Sequence, residues 1–363
     1  MSSQRVPDTE LARRLAQTTL ALVDTPSESR NELAICEVVA AMLDTRLPSL
    51  FHDDSLLYVP ERRPGTQLVV FAGHLDTVPA QDNLPGRLSE NSVHGLGTSD
   101  MKGALAVMIH LVRWLDSQQP ETKIDPAFLF FAREELPIDD SPITGLLETS
   151  ADLRAADLVV IMEPTSNAIQ LGCLGNLNAD VTYSGSSSHS ARPWLGDNAI
   201  HGAIKGLQGV ASSPARQVNV EELEFFEVVN VTGIEGGIAR NVIPDEVVCH
   251  VNFRYAPNRT PASAEAELRE LLGNGSSVVV VGNALPGRVA NDNPLVDRLR
   301  DASSAPVEPK QAWTNVAEFT AAGIDAINFG PGAPEYAHRS DELVAIDALT
   351  KCFASLQRFI TSQ

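Results

Sequence analysis

The 363-residue sequence predicts an α/β fold with a central, mostly parallel sheet, interrupted by a smaller inserted α+β domain. Three observations lead there. Apolar runs at residues 68–72, 127–132, 158–162 and 326–329 have the length and unbroken hydrophobicity of strands buried on both faces. Helical patterns alternate with these runs, as in parallel sheets crossed by helices. Between about residues 176 and 286 the texture changes to alternating strand patterns with two helices. Their order, β-α-β-β-α-β, is that of a ferredoxin-like sandwich. The length exceeds one ordinary core. The expected division is a discontinuous larger domain, 1–175 with 287–363, and an inserted domain, 176–286.

The chain is 43% hydrophobic and 20% charged, which is ordinary for a globular protein. Its formal net charge of −20 points away from nucleic acid and from anionic membrane as partners. No stretch reaches the length of a membrane-spanning helix. Residues 8–23 read as an amphipathic helix with charges throughout and lack the apolar core of a secretory signal. Cys36, Cys173, Cys249 and Cys352 are scattered, with no C-x-x-C pair. Reduced, buried thiols in a cytoplasmic protein are expected.

In chain order, residues 24–29 end the first helix and cap a second over 31–43. The strand at 68–72 runs into Gly73-His74-Leu75-Asp76-Thr77-Val78-Pro79. A glycine-rich turn, 95–103, brings Asp100 to the start of a helix over 101–115. A helix-capping aspartate is one reading of Asp100; a metal ligand is the other. The next two strands deliver Arg133-Glu134-Glu135 and Glu163-Pro164-Thr165. In the insertion, strand patterns at 177–183, 224–232, 242–255 and 277–281 alternate with helices over 198–210 and 262–272. The strand at 326–329 opens into Gly330-Pro331-Gly332 and then His338-Arg339-Ser340-Asp341-Glu342. A helix over 346–360 ends the chain.

Open α/β sheets bind ligands at the carboxyl ends of their strands. Alone, His74-x-Asp76 would read as a loop histidine beside a turn aspartate. A His, an Asp, a Glu pair, a Glu and a second His, all at comparable sites, argue against solvated surface. A carboxylate bridging two ions, with one His and one carboxylate on each, is the donor set of a two-metal hydrolase, with the ions about 3.5–4 Å apart. The sequence supplies Asp100 as bridge, His74 and Glu163 for one ion, and Glu135 and His338 for the other. Zinc accepts such mixed nitrogen and oxygen donors. Asp76 is left to orient the His74 imidazole, and Glu134 to take a proton from the attacking water.

These stretches resemble the two-zinc amidohydrolases that include aminoacylases, acetylornithine deacetylase and glutamate-releasing carboxypeptidases. The matching segments are 73–79, 97–103, 134–135, 163–164 and 338–342, and the likeness spans nearly the whole chain. It implies a zinc-exopeptidase-like catalytic domain and an inserted domain that serves as lid and dimerisation module. It also implies two Zn2+ per subunit, with Co2+ or Mn2+ as substitutes, and an N-acylated amino acid as small-molecule substrate. Within the group, residues 189–200, 241–246, 252–257 and 313–319 resemble the actinobacterial desuccinylases. That likeness implies hydrolysis of N-succinyl-diaminopimelate in lysine and diaminopimelate biosynthesis. The alternatives are a deacylase for another N-acyl amino acid, a dipeptidase, or a catalytically dead binding relative.

The same resemblance implies that His189 donates to the developing oxyanion from the neighbouring subunit of a homodimer. Read alone, His189 is a surface histidine in a serine-rich loop. Arg192 and Arg254 become candidates to grip substrate carboxylates, although Arg254, in a strand pattern, reads equally as half of a structural ion pair. Asn241 and Thr314 are candidate polar contacts. Two departures stand out. Gly172-Cys173-Leu174-Gly175 replaces the Arg-rich stretch of the Gram-negative desuccinylases, and residues 313–319 replace their Ser/Gly/Thr-rich one. The residues holding the succinyl group therefore do not transfer from that branch. His52, His94, His110, His201 and His250 match no ligand position.

Overall fold

The computed structural model describes residues 9–43 and 50–362. The four apolar runs form neighbouring parallel strands, in the order Asp125–Phe131, Leu68–His74, Leu158–Ile161 and Ala326–Asn328. Every residue of these strands is buried, as their unbroken hydrophobicity requires. Short strands extend the sheet to eight. Ser55–Tyr58 and Leu50–His52 lie beyond Asp125–Phe131, and Ile169–Leu171 and Val307–Pro309 lie beyond Ala326–Asn328. From Leu68–His74 the chain first adds a strand on one side, then returns to add Leu158–Ile161 on the other. Such a reversal opens a crevice at the strands' carboxyl ends, and His74 and Glu163 stand there.

Helices Thr9–Val23, Gly103–Gln118 and Ile346–Thr361 contact one another, and Gly103–Gln118 also contacts the strand Leu68–His74. Phe71 from that strand sits 5.5 Å from Phe128 and meets Phe359 edge-on at 6.3 Å. Asp8, expected to begin the first helix, lies outside the described residues. The helix expected over 31–43 spans Leu33–Met42. The helix expected from 101 instead begins at Gly103. Residues Thr98–Lys102 form one wide turn in which Asp100 and Met101 leave helical geometry, and the Asp100–Met101 peptide is cis. Lys102 occupies the capping position without a side-chain cap, so the capping reading of Asp100 fails. Among the described residues no helix is long and apolar enough to cross a membrane.

The insertion forms a five-stranded antiparallel sheet, in the order Arg216–Val220, Leu223–Gly236, Glu246–Tyr255, Gly175–Ser184 and Ser277–Ala284. The last four, with helices Ala199–Gly206 and Pro261–Leu272, have the ferredoxin-like order. Burial alternates along Gly175–Ser184 and Glu246–Tyr255, and their buried residues pack with helix residues such as Ala203, Val210 and Leu268. The edge strand Arg216–Val220 was not expected. Its burial pattern is mostly exposed, so it carries no hydrophobic run, and it is held instead as a hairpin with Leu223–Gly236. The helix expected over 198–210 breaks at Leu207, and the strand expected over 242–255 breaks at Pro244-Asp245.

By contacts the chain groups into two compact units. One is Met1–Leu171, Ala290–Glu308 and Glu318–Gln363; the other is Gly172–Val289 with Pro309–Ala317. The segment Pro309–Ala317 joins the second unit through named bonds. Leu174 N–H donates to the Ala312 carbonyl (3.1 Å), Phe226 N–H to Gln311 Oε1 (3.0 Å) and Trp313 Nε1 to the Leu285 carbonyl (3.1 Å).

Phe71 is fully buried between two rings at the centre of the sheet. Phe71→Ala is expected to cost about 3–5 kcal/mol. Val279→Ala, at a position 56% exposed, is expected to cost under about 0.5 kcal/mol. Denaturant unfolding of the two variants checks the difference.

Candidate metal centre

His74 ends its strand completely buried. Its Nδ1 lies 3.0 Å from the backbone carbonyl of Asp76 and 3.5 Å from that residue's carboxylate. With Nδ1 bonded to an acceptor, Nε2 is the nitrogen turned to the crevice, 3.0 Å from Asp100 Oδ1 and 4.0 Å from Glu163 Oε1. The expected role of Asp76, holding the imidazole, thus falls chiefly to its carbonyl. The carboxylate of Asp76 does something else. It accepts the backbone N–H of Glu134 at 3.0 Å and of Glu135 at 3.1 Å, and the Ser29 hydroxyl at 2.8 Å. Burial pushes the Asp76 carboxyl up, but His74, Ser29 and the Glu135 N–H outweigh it and hold the group below its usual range.

The strand Asp125–Phe131 leads to a turn at Arg133, whose φ of 57° is a conformation that side chains rarely adopt. Arg133 is held by three bonds. Its N–H donates to Glu32 Oε1 (3.2 Å), its Nε to the Asp140 carbonyl (2.9 Å), and its guanidinium pairs with Asp53. The turn sends Glu134 and Glu135 into the crevice. On the far side His338 also has positive φ, 60°, and its carbonyl accepts Gln81 Nε2 at 3.0 Å. His338 Nε2 lies 2.9 Å from Glu135 Oε1 and 3.5 Å from Asp100 Oδ2. Close backbone packing finishes the wall. A Cβ on Gly330 would lie 2.5 Å from the Glu163 carbonyl, and one on Gly332 would overlap the Ser99 carbonyl.

Among the described residues three groups result whose donor atoms lie within 4.8 Å of one another: His74–Asp100–Glu163, Asp100–Glu135–His338 and His74–Glu134–Glu135. Asp100 belongs to the first two, with one oxygen toward each histidine. The third shows that distance alone does not separate Glu134 from the ligand-type residues. Burial, and then Glu163, Glu135 and Asp100, push the Glu134 carboxyl well above its usual range, and Glu135 is raised chiefly by burial. The bond to Glu135 lifts His338 to about 9. Buried carboxylates crowded this closely favour a compensating positive charge. The donors, all carboxylate oxygen or imidazole nitrogen, fit a divalent cation.

The remaining candidates lie in the second unit. His189, in the two-residue strand Ser188–His189 paired with Val242–Ile243, is exposed, and its Nδ1 accepts the Ala191 N–H at 3.1 Å. Arg192 and Asn241 are exposed, and the Asn241 carbonyl accepts Ser190 N–H (2.9 Å). Thr314 is buried, its carbonyl accepting the Ala317 N–H (3.0 Å) and the Cys173 thiol (3.6 Å). Arg254 forms no ion pair among the described residues; its Nε donates to Asn252 Oδ1 at 3.1 Å. Asn252 in turn donates to Asn176 and Asn178 (2.7 and 2.8 Å). Sequence reading gave no individual role to Ser29, Glu32 or Glu342, which hold ligand-bearing loops. Nothing local marks Ser29 or Glu32, and Glu342 is marked only as the end of the segment 338–342, because the backbone each holds lies far away along the chain.

The model of the peptidase family M20/M25/M40 matches residues 70–362. The chain is 36% identical over 372 residues to a succinyl-diaminopimelate desuccinylase of Corynebacterium glutamicum, covering 99% of this chain and 100% of that one. It is 32% identical over 284 residues to the succinyl-diaminopimelate desuccinylase of Cupriavidus necator, covering 70% and 73%. Among solved structures, a tripeptidase from Staphylococcus aureus shares the fold, with TM-score 0.80 at 19% identity over 96% of this chain and 98% of that one. With a family match over most of its length and a full-length relative above 30% identity, the chain belongs to peptidase family M20/M25/M40.

Proposed function

We propose that the chain is a metal-dependent amidohydrolase that cleaves N-succinyl-LL-2,6-diaminopimelate to succinate and LL-2,6-diaminopimelate. The observation that carries this reading is the end-to-end identity with the Corynebacterium glutamicum desuccinylase. The cation is a divalent metal. Two zinc ions sharing Asp100, one with His74 and Glu163 and one with Glu135 and His338, match the two donor groups that meet at Asp100. Bound there, they would polarise the amide carbonyl and increase the acidity of the attacking water.

The chain's own groups do the rest. Glu134 takes the proton of the attacking water and returns it to the leaving amine nitrogen. Its donor atom lies within 4.8 Å of those of His74 and Glu135, which puts it within reach of a water in the crevice. Asp76 fixes the His74 tautomer through its carbonyl and sets the angle of Glu134 through its carboxylate. His189 donates a hydrogen bond to the oxyanion that forms at the carbonyl, acting from the other subunit of a homodimer. Arg254 and Arg192 bind substrate carboxylates, with Asn241 and Thr314 as further polar contacts. Arg254 has its Nε tied to Asn252 and, among the described residues, no carboxylate partner of its own. The cytoplasm suits the four cysteines, all buried and free.

A turnover panel of succinyl-diaminopimelate, acetylornithine and simple dipeptides tests the substrate. The succinylated compound is expected to give the highest kcat/KM; preference for either of the others replaces the reading with a different deacylase or a dipeptidase. In the same assay Glu134→Gln is expected to retain metal and lose nearly all turnover. Loss of metal instead would mean that Glu134 and Glu135 have exchanged roles.

Asp100→Ala is expected to lose both metal equivalents and His338→Ala mainly one, measured by elemental analysis after dialysis. Two full equivalents retained by Asp100→Ala would disprove the shared-carboxylate arrangement.

The trans role of His189 is tested with His189→Ala and Glu134→Ala, each inactive alone, refolded together. In a mixed dimer the site of the His189→Ala chain keeps its own Glu134 and receives the partner's intact imidazole, so activity is expected to return. Verified mixed dimers that stay inactive would rule out action across the interface.

A further inference from the structure

We infer that Glu342 is a positioning residue for the metal centre: its buried carboxylate fixes the backbone of the Asp100 loop, so that the shared ligand is set before a cation binds. The inference rests on the metal reading of the site given above.

The argument starts from strand register. The strand Leu343–Ala345 pairs antiparallel with Ser92–His94, Leu343 opposite His94. That pairing sets Glu342 beside the start of the glycine-rich turn, where its carbonyl accepts the Gly95 N–H at 3.0 Å. The side chain then enters the turn. Oε2 accepts Gly97 N–H at 2.8 Å; Oε1 accepts Ser99 N–H at 2.9 Å and Asp100 N–H at 3.0 Å. The group is 2% exposed, so water does not substitute for these bonds. Ser99 Oγ adds a second tie, donating to the Leu343 carbonyl (3.0 Å) and accepting Ala333 N–H (2.9 Å).

Three N–H groups converging on one side chain call for a carboxylate. An ionised carboxylate is acceptor-only, whereas a carboxamide of the same shape turns a donor toward one of the three. The consequence reaches the site because one of the three N–H groups belongs to Asp100 itself. Its oxygens lie 3.0 Å from His74 Nε2 and 3.5 Å from His338 Nε2, and their direction follows from the held backbone. His338 stands four residues before Glu342 on the same segment. Glu342 therefore joins the loops of two expected ligands, Asp100 and His338.

The test compares Glu342→Gln with Val344→Ala. Val344 is buried on the same segment, and its truncation destabilises that segment without removing any of these side-chain bonds. Co2+ is titrated into each metal-stripped protein by calorimetry, and the visible spectrum of the Co2+ forms is recorded. Glu342→Gln is expected to bind Co2+ about 10–100-fold more weakly and with an altered spectrum. Val344→Ala is expected to melt earlier yet keep wild-type affinity and spectrum. Wild-type behaviour in Glu342→Gln, or an equal loss in Val344→Ala, overturns the proposal. Should Glu342→Gln fail to fold, hydrogen exchange on the stripped wild-type protein decides. The amides of Gly97, Ser99 and Asp100 stay protected if Glu342 holds them, and exchange freely if the cation does. A wild-type protein that takes up no divalent metal defeats the metal reading and this inference together; normal wild-type uptake with an unaffected Glu342→Gln defeats this inference alone.

Discussion

The organising constraint of the catalytic unit is electrostatic. Asp76, Asp100, Glu134, Glu135 and Glu163 converge at the carboxyl ends of three neighbouring strands, with Asp76 and Glu163 buried and the others largely so. Burial alone disfavours each charge, and each neighbour disfavours the next. Such a cluster persists only where positive charge and N–H donors face it. Two imidazoles, ordered backbone amides and a divalent cation meet that need. The sheet order provides the crevice and the flanking turns bring the donors, so sheet, turns and loop walls all converge on this one cluster.

The amides are arranged by a repeated device. Asp76 accepts the N–H groups of Glu134 and Glu135. Glu342 accepts those of Gly97, Ser99 and Asp100. Glu32, wholly buried, accepts those of Arg30 and Arg133 at 2.9 and 3.2 Å. In each case a carboxylate from a distant segment captures at least one donor of a ligand-bearing turn. An irregular turn leaves N–H groups unpaired, and a buried unpaired donor costs about 1–3 kcal/mol. The carboxylates remove that cost and add charge-assisted bonds, which are stiffer than neutral ones. Arg30 and Arg133, two of the residues held at positive φ, are the two whose N–H groups Glu32 accepts, so bonds from a neighbouring segment hold the strained backbone in place.

This device explains what the sequence made legible. The four central strands were readable because full burial leaves an unbroken apolar run, and His74, Glu134, Glu135 and Glu163 because they stand just after three of those runs. Asp100 showed its residue type but not its backbone. Nothing local distinguishes a helix cap from a wide turn whose N–H groups are satisfied by Glu342, 242 residues away. The strand Arg216–Val220 escaped notice because a largely exposed edge strand lacks the period that marks its neighbours. The break of the second long strand pattern at Pro244 is a covalent limit, since proline offers no N–H to the ladder. The grouping of Pro309–Ala317 with the insertion depends on bonds to residues 174, 226 and 285, which no local pattern encodes.

The same reasoning separates the arginines of the second unit. From sequence, Arg254 was equally a structural ion pair and a substrate contact. Arg216 and Arg259 show what a structural pair looks like here. Both bind the buried carboxylate of Glu227, which also accepts the Ala256 N–H, and both reach Glu267. Their charge is neutralised inside the unit. Arg254 has no such partner among the described residues. Burial depresses its proton affinity, and its one side-chain bond goes to Asn252, itself braced by Asn176 and Asn178. Neutral amides orient a guanidinium without discharging it. A half-buried arginine held by amides keeps its terminal nitrogens, and its full charge, for an anion from outside the unit. The ion-pair reading thus finds no partner among the described residues, and the carboxylate recognition proposed for Arg254 asks of it what a guanidinium offers, paired hydrogen bonds to an anion.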